Sequence, residues 1–189
     1  MDEDNGNGSG LMVKQDGLGA AKDGANPWLF LYIQNRPPLP QFAPGCGVQP
    51  LLTGDIAAIA QQTGNHWRKV FNVLAKVLFD WIEHSFDSWQ QLRDEQLLQG
   101  NDGIVMYFVD GPELLHRAQL NLTETTDACH WLVGKQNGMA LSGQNLVWLN
   151  EHFAQVPGKS IWTTPYLDYR QFSNIKIEQF LALVRDKER

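Results

Sequence analysis

Short apolar runs alternating with helical stretches predict an α/β fold, a three-layer α/β/α sandwich around a central, mainly parallel four-stranded sheet. Three observations carry this. Trp28-Leu29-Phe30-Leu31-Tyr32-Ile33, Ile104–Val109 and Cys129-His130-Trp131-Leu132-Val133 are continuous apolar runs of strand length, the mark of strands covered on both faces. Between and after them, apolar residues recur at steps of three and four. Every strand but the second ends in a polar loop rich in Gly, Pro or Asn.

The elements follow in order. The first strand, 28–33, stops at Gln34-Asn35-Arg36-Pro37-Pro38-Leu39-Pro40, where three prolines forbid both helix and central strand, and loop continues to about Pro50. A short helix is expected around Ile56–Gln62. The clearest helix holds Trp67, Val70, Phe71, Leu74, Val77 and Leu78 on one stripe, with Asn65 placed to cap it. Trp89–Gln99 reads as another helix. The second strand is Ile104–Val109, and Pro112 opens a helix through Leu120. The third strand ends at Gly134-Lys135-Gln136, and the fourth, Ser160-Ile161-Trp162-Thr163, ends at Pro165. Leu146–Leu149 fits strand or helix. Ile177, Phe180, Leu181 and Val184 define a last helix from Asn174 to about Lys187.

The 189 residues carry 15 Lys and Arg against 21 Asp and Glu, a net charge of −6, and 43% are hydrophobic. That suffices for one domain with its own core, and it excludes wholesale disorder. No run of 18 apolar residues occurs, so no membrane partner is expected. The acidic start, Met1-Asp2-Glu3-Asp4, is unlike a signal or transit peptide, which makes the expected location cytoplasmic. Residues 1–26 hold six glycines and five acids against two lysines. They are expected to form a flexible tail, with a single α/β domain over 27–189. The remainder is only mildly acidic and lacks the basic stripe used for tight duplex binding. Cys46 and Cys129 share no CxxC spacing, and the histidines at 66, 84, 116, 130 and 152 are dispersed. No disulfide framework, metal or cofactor is expected. His130, within an apolar run, reads as a hydrogen-bonded core residue.

Ligands of open parallel sheets sit outside the carboxyl ends of the strands. That rule selects two loops. In the first, Gln34, Asn35 and Arg36 follow a strand directly. An amide there could position water or bind a planar ligand against Phe42, or the segment is a proline-stiffened surface loop whose Asn caps a turn. The second, Thr163 to Asn174, is dense in hydrogen-bonding and aromatic groups: Tyr166, Asp168, Tyr169, Arg170 and Phe172 before Asn174. Such groups suit base stacking and phosphate contact. The alternative is that the aromatics pack the loop down while Asp168 pairs with Arg170. Lys135 could meet an anion near a helix start, or be a solvated lysine. No GxSxG elbow or partnered cysteine supports covalent catalysis.

Taken in order, these landmarks resemble the uracil-DNA glycosylase superfamily, most nearly its mismatch-specific branch. Ile33-Gln34-Asn35-Arg36-Pro37 looks like a degenerate form of the first active-site motif. Gly64-Asn65-His66-Trp67-Arg68 resembles the opening of the long helix. Trp131-Leu132-Val133-Gly134-Lys135-Gln136 resembles the Gly-Lys strand end, and Ser160-Ile161-Trp162-Thr163-Thr164-Pro165 the strand before the second active-site loop. The resemblance implies a DNA glycosylase-like protein that binds or excises a nucleobase in nucleic acid by hydrolysing its N-glycosidic bond. Asn35 would orient water or bind the base, and Phe42 would be the stacking aromatic. Tyr166 to Arg170 would grip the backbone, and the partner would be DNA or a nucleobase-containing ligand. The first loop has Arg36 between Asn35 and the proline, and the second has Tyr166 where the family carries a small residue. A non-catalytic binding module or a small-nucleotide enzyme on the same fold is the alternative.

Overall fold

The computed structural model describes residues 14–21, 25–125 and 127–187. It is α/β, with six helices and one mostly parallel sheet. The four apolar runs form β2 (Leu29–Ile33), β4 (Ile104–Phe108), β5 (Cys129–Val133) and β8 (Ile161–Thr164). They lie side by side in the order β4-β2-β5-β8, every pairing parallel. The expected four-stranded sheet is nonetheless too small, because the sheet has eight strands. Short segments extend both edges: β1 (Gly17–Gly19) and β3 (Val48–Gln49) beside β4, and β7 (Ala154–Gln155) and β6 (Val147–Trp148) beside β8. β1 and β7 run antiparallel to the parallel strands they join.

The runs are continuous because both faces of the sheet are covered. Leu29, Leu31 and Ile33 of β2 face α1 (Asp55–Thr63), α2 (Asn65–Trp81), α3 (Trp89–Glu95) and α6 (Asn174–Lys187). Phe30 and Tyr32 face the other way, toward α4 (Pro112–Glu124) and α5 (Lys135–Ser142). The α2 face holds an aromatic core in which Trp131, Phe153, Phe172 and Phe180 meet ring to ring. The α4 face carries a buried polar chain. Asn121 donates to the Tyr32 hydroxyl (2.7 Å), Tyr32 meets His130 Nδ1 (2.8 Å), and His130 Nε2 meets the Thr125 carbonyl (2.8 Å). One imidazole tautomer satisfies both contacts, and burial pushes the His130 pKa below its ordinary value.

The fold begins before Pro27. Leu18 is fully buried, and Gly17 and Gly19 let β1 lie against β4 where a Cβ would strike the Met106 and Ile104 carbonyls. Asp16 is buried too. The expected tail is therefore wrong for Asp16–Gly19, while 1–13 and 22–24 lie outside the described residues. The α2 N-cap is Gly64, at φ 76°, with no side-chain cap, so Asn65 is the first helical residue and not the cap. α3 stops at Glu95, short of Gln99. There the buried Asp102 carboxylate accepts from the Leu98 and Ile104 N–H groups and organises the turn into β4. Burial pushes the Asp102 pKa up to about 6, against the lowering by those backbone bonds. Among the described residues no helix is long and apolar enough to cross a membrane.

Candidate functional site

The four parallel strands open their carboxyl ends on one rim. The chain leaves β2 to reach β4 on one side, while β5 and β8 lie on the other. Such a reversal leaves a crevice at the strand ends. Here a cleft of about 550 Å³ opens between the loops that follow β2, β5 and β8. Gln34, Lys135, Tyr166 and Arg170, all anticipated from the sequence, line it.

At the rim, loop and helix converge on one phenol. Asn35 Nδ2 donates to the Tyr166 hydroxyl oxygen (3.0 Å), and His66 Nε2, from the first turn of α2, lies 2.8 Å from the same oxygen. Asn35 and the 164–174 loop therefore meet directly. Burial raises the Tyr166 pKa, with Asn35 opposing and the Asp168 carboxylate assisting. Asp168 itself bonds Lys69 Nζ (2.9 Å) and the Arg170 N–H (2.9 Å). Burial alone would raise its pKa, but the Arg170 N–H and the Lys69 ammonium bring it below the ordinary carboxylate value. Asp168 thus pairs with Lys69 and not with the Arg170 side chain. Tyr169 is 52% exposed, between Lys69 (4.9 Å from the ring centroid) and Arg170 (5.9 Å).

On the β5 side, Gly134 is the N-cap of α5, its φ of 93° suiting glycine, and no side chain caps the helix. Gly138 seats the helix on β8, since a Cβ there would overlap the Thr163 side chain. Lys135 Nζ bonds the Glu151 carbonyl and lies 5.4 Å from the Trp148 ring centroid. Lys176 Nζ bonds the Gln171 carbonyl (2.9 Å). Both ammonium groups rest on backbone oxygens, so their charges are not cancelled by them. No Asp or Glu is among the described residues lining the cleft.

The floor holds Asn137, 1% exposed. Its Nδ2 donates to the Tyr32 (2.8 Å) and Val133 (3.3 Å) carbonyls. Two acceptors on that side fix the amide, because a flip would set oxygen against oxygen. The other atom, Oδ1, is buried with no partner among the described residues.

Three anticipated residues lie elsewhere. Arg36 grips both oxygens of Asp110, donates to Asp16 (3.0 Å) and to the Phe42 carbonyl (2.9 Å), and lies over the Phe108 ring. The Asp110 carboxylate first of all raises the Arg36 pKa, against the lowering by burial. It ties β1, the β2 loop and the end of β4 together and is not free for a ligand. Phe42 is 3% exposed in the core and presents no face for stacking. Asn174 opens α6 beside Lys76 and Trp89, in a separate hollow of about 300 Å³. His66, Asn137, His152 and Lys176 were missed. A usable signal existed for Asn137: a second amide within the helix turn that follows a strand end.

Fold and site together define an α/β protein with a cation-lined cleft at the carboxyl ends of a parallel sheet. The chain belongs to the DUF6942 family, a family of unknown function, whose model matches residues 17–185. No curated protein matches it.

Proposed function

We propose that the cleft binds a nucleobase-containing ligand and that the protein hydrolyses its N-glycosidic bond in the manner of a DNA glycosylase. The observation that carries this is the convergence of a cleft of about 550 Å³ with the amide of Gln34 and the cations Lys135, Arg170 and Lys176, with Tyr166 tying in the rim pair Asn35 and His66. The volume suits one nucleotide-sized ligand, and the polar groups are few and convergent. The ordered motifs that resemble the uracil-DNA glycosylase superfamily support the same reading.

In that reaction a water oxygen bonds to the anomeric carbon as the carbon–nitrogen bond breaks. The bond's electron pair leaves on the base nitrogen, and the water's proton ends on the base. Asn35 or His66 would hold the water, and the Gln34 amide would hydrogen-bond the departing base. The test is base release from labelled oligonucleotides carrying uracil, hypoxanthine or a G·T mismatch, read as alkali-labile cleavage. Cleavage by the native protein and its loss in Asn35→Ala are expected. Equal cleavage by both would remove Asn35 from the chemistry.

One observation favours a second reading, a binding module without turnover. Tyr166 engages the Asn35 amide and the His66 ring together, leaving neither turned wholly to a water. Ligand binding with no base release from any substrate would establish that alternative.

A further inference from the structure

We infer that the cleft ligand is a phosphorylated compound: its phosphate sits at the start of α5, and its base donates a hydrogen bond to Asn137 Oδ1. This rests on the proposed nucleobase reading and narrows it to a substrate class.

Two independent observations point to the ligand. The first is charge. α5 begins without a side-chain cap, so the N–H groups of its first turn face outward with the positive end of the helix dipole. Lys135, Arg170 and Lys176 line the same cleft, with no carboxylate among the described lining residues, in a chain whose net charge is −6. Asp168 and Glu151 stand beside the cleft but face Lys69 and His152, so cations without a carboxylate in the lining mark a place for an external anion. The second is an unmet acceptor. Asn137 is 1% exposed, its Nδ2 is held by the Tyr32 and Val133 carbonyls, and its Oδ1 has no partner among the described residues. A buried acceptor left unpaired is costly, and a ligand N–H or O–H removes the cost. A phosphate dianion cannot donate, so anion and donor must be separate groups of one molecule. A nucleotide carries both, either free or at a phosphate of a nucleic-acid strand.

The experiment is calorimetric titration of the full chain with inorganic phosphate, the deoxynucleosides of A, C, G, T and U, their 5′-monophosphates, and a uracil-containing single strand. A monophosphate should bind at least tenfold tighter than its nucleoside, and inorganic phosphate should compete with it. Arg170→Ala/Lys176→Ala should cost the monophosphate at least tenfold and leave the nucleoside unchanged. Methylation of the donor nitrogen on the best-binding base should cost at least tenfold, which tests the Asn137 contact without altering a residue that also holds the floor together. Tighter binding of the strand than of any monophosphate assigns the phosphate to nucleic acid, and the reverse assigns it to a free nucleotide. Nucleoside binding with no gain from the phosphate would overturn the inference while leaving the proposed function standing. Phosphate binding with no contribution from any base would overturn the donor half of the inference and the nucleobase reading with it. Binding of none of these probes would overturn all of it.

Discussion

Arg36 and Arg170 both follow carboxyl ends of parallel strands on one rim, yet they do opposite work. Arg36 meets two carboxylates and a carbonyl, its side chain 11% exposed, and seals the β4 side of the switch point. Arg170 lies across Tyr169 and lines the open cleft on the β5 side. The difference is set by where their partners come from. Asp16 and Asp110 supply the counter-charge for Arg36 from within the chain, so that region is complete. On the other side the ammonium groups rest on carbonyls and an amide oxygen has no partner among the described residues, which is why the ligand site is proposed there.

The largest expected effect breaks the sealed side. Arg36→Ala leaves Asp16, 1% exposed, without its cation and should cost about 3–5 kcal/mol of stability. Arg170→Ala should stay within about 0.5 kcal/mol. Urea denaturation of both variants measures the contrast, and equal losses would erase the distinction between the two regions.

Next comes the seat of the cleft wall. Gly138→Ala forces a methyl into Thr163 and should cost about 1–3 kcal/mol. It should also displace the start of α5 and weaken whatever binds there. A fully stable variant with intact binding would mean that α5 is not held by that contact.

A smaller effect belongs to the α4 face. Folded His130 has a pKa below 6.5, so below pH 6.5 the unfolded chain takes up a proton that the folded one resists. Its contribution is full above pH 6.5 and is lost as pH falls toward the folded value. Asp102 acts oppositely, since its folded pKa of about 6 exceeds 3.8 and stability rises as pH falls between those values. His130→Gln should flatten the acid loss in urea midpoints measured between pH 5 and 8. An unchanged profile would place the loss on another group.

The smallest change concerns the rim. Tyr166→Phe removes the hydroxyl shared by Asn35 and His66 and should cost about 0.5–1.5 kcal/mol. If Tyr166 restrains both groups, base release should rise in this variant, whereas a catalytic phenol would make it fall.

The parallel strands were legible because burial on both faces leaves an unbroken apolar run, as in Leu29–Ile33. The edge strands were not, apart from β6 inside Leu146–Leu149, which fitted strand or helix, since two or three residues show no periodicity and exist through their partners. Gly17 and Gly19 misled for a physical reason: glycine suggests freedom, but here it permits close strand approach. Gln34, Lys135, Tyr166 and Arg170 were found by one rule, that ligands gather at strand ends. Arg36 satisfied that rule too and was misread, because Asp16 and Asp110 lie 20 and 74 residues away along the chain. Asn137 was passed over because an amide inside a helix looks like surface until its burial is known, although its place in the turn after a strand end was a usable signal.

The most direct test is an amide proton–nitrogen correlation spectrum of the full chain titrated with a deoxynucleoside monophosphate. The expected result is shifts grouped at 34–36, 134–138 and 165–176, with the Asp16–Arg36–Asp110 region quiet beyond Arg36. Shifts centred anywhere else, or none at saturating ligand, would contradict the cleft as the nucleobase site.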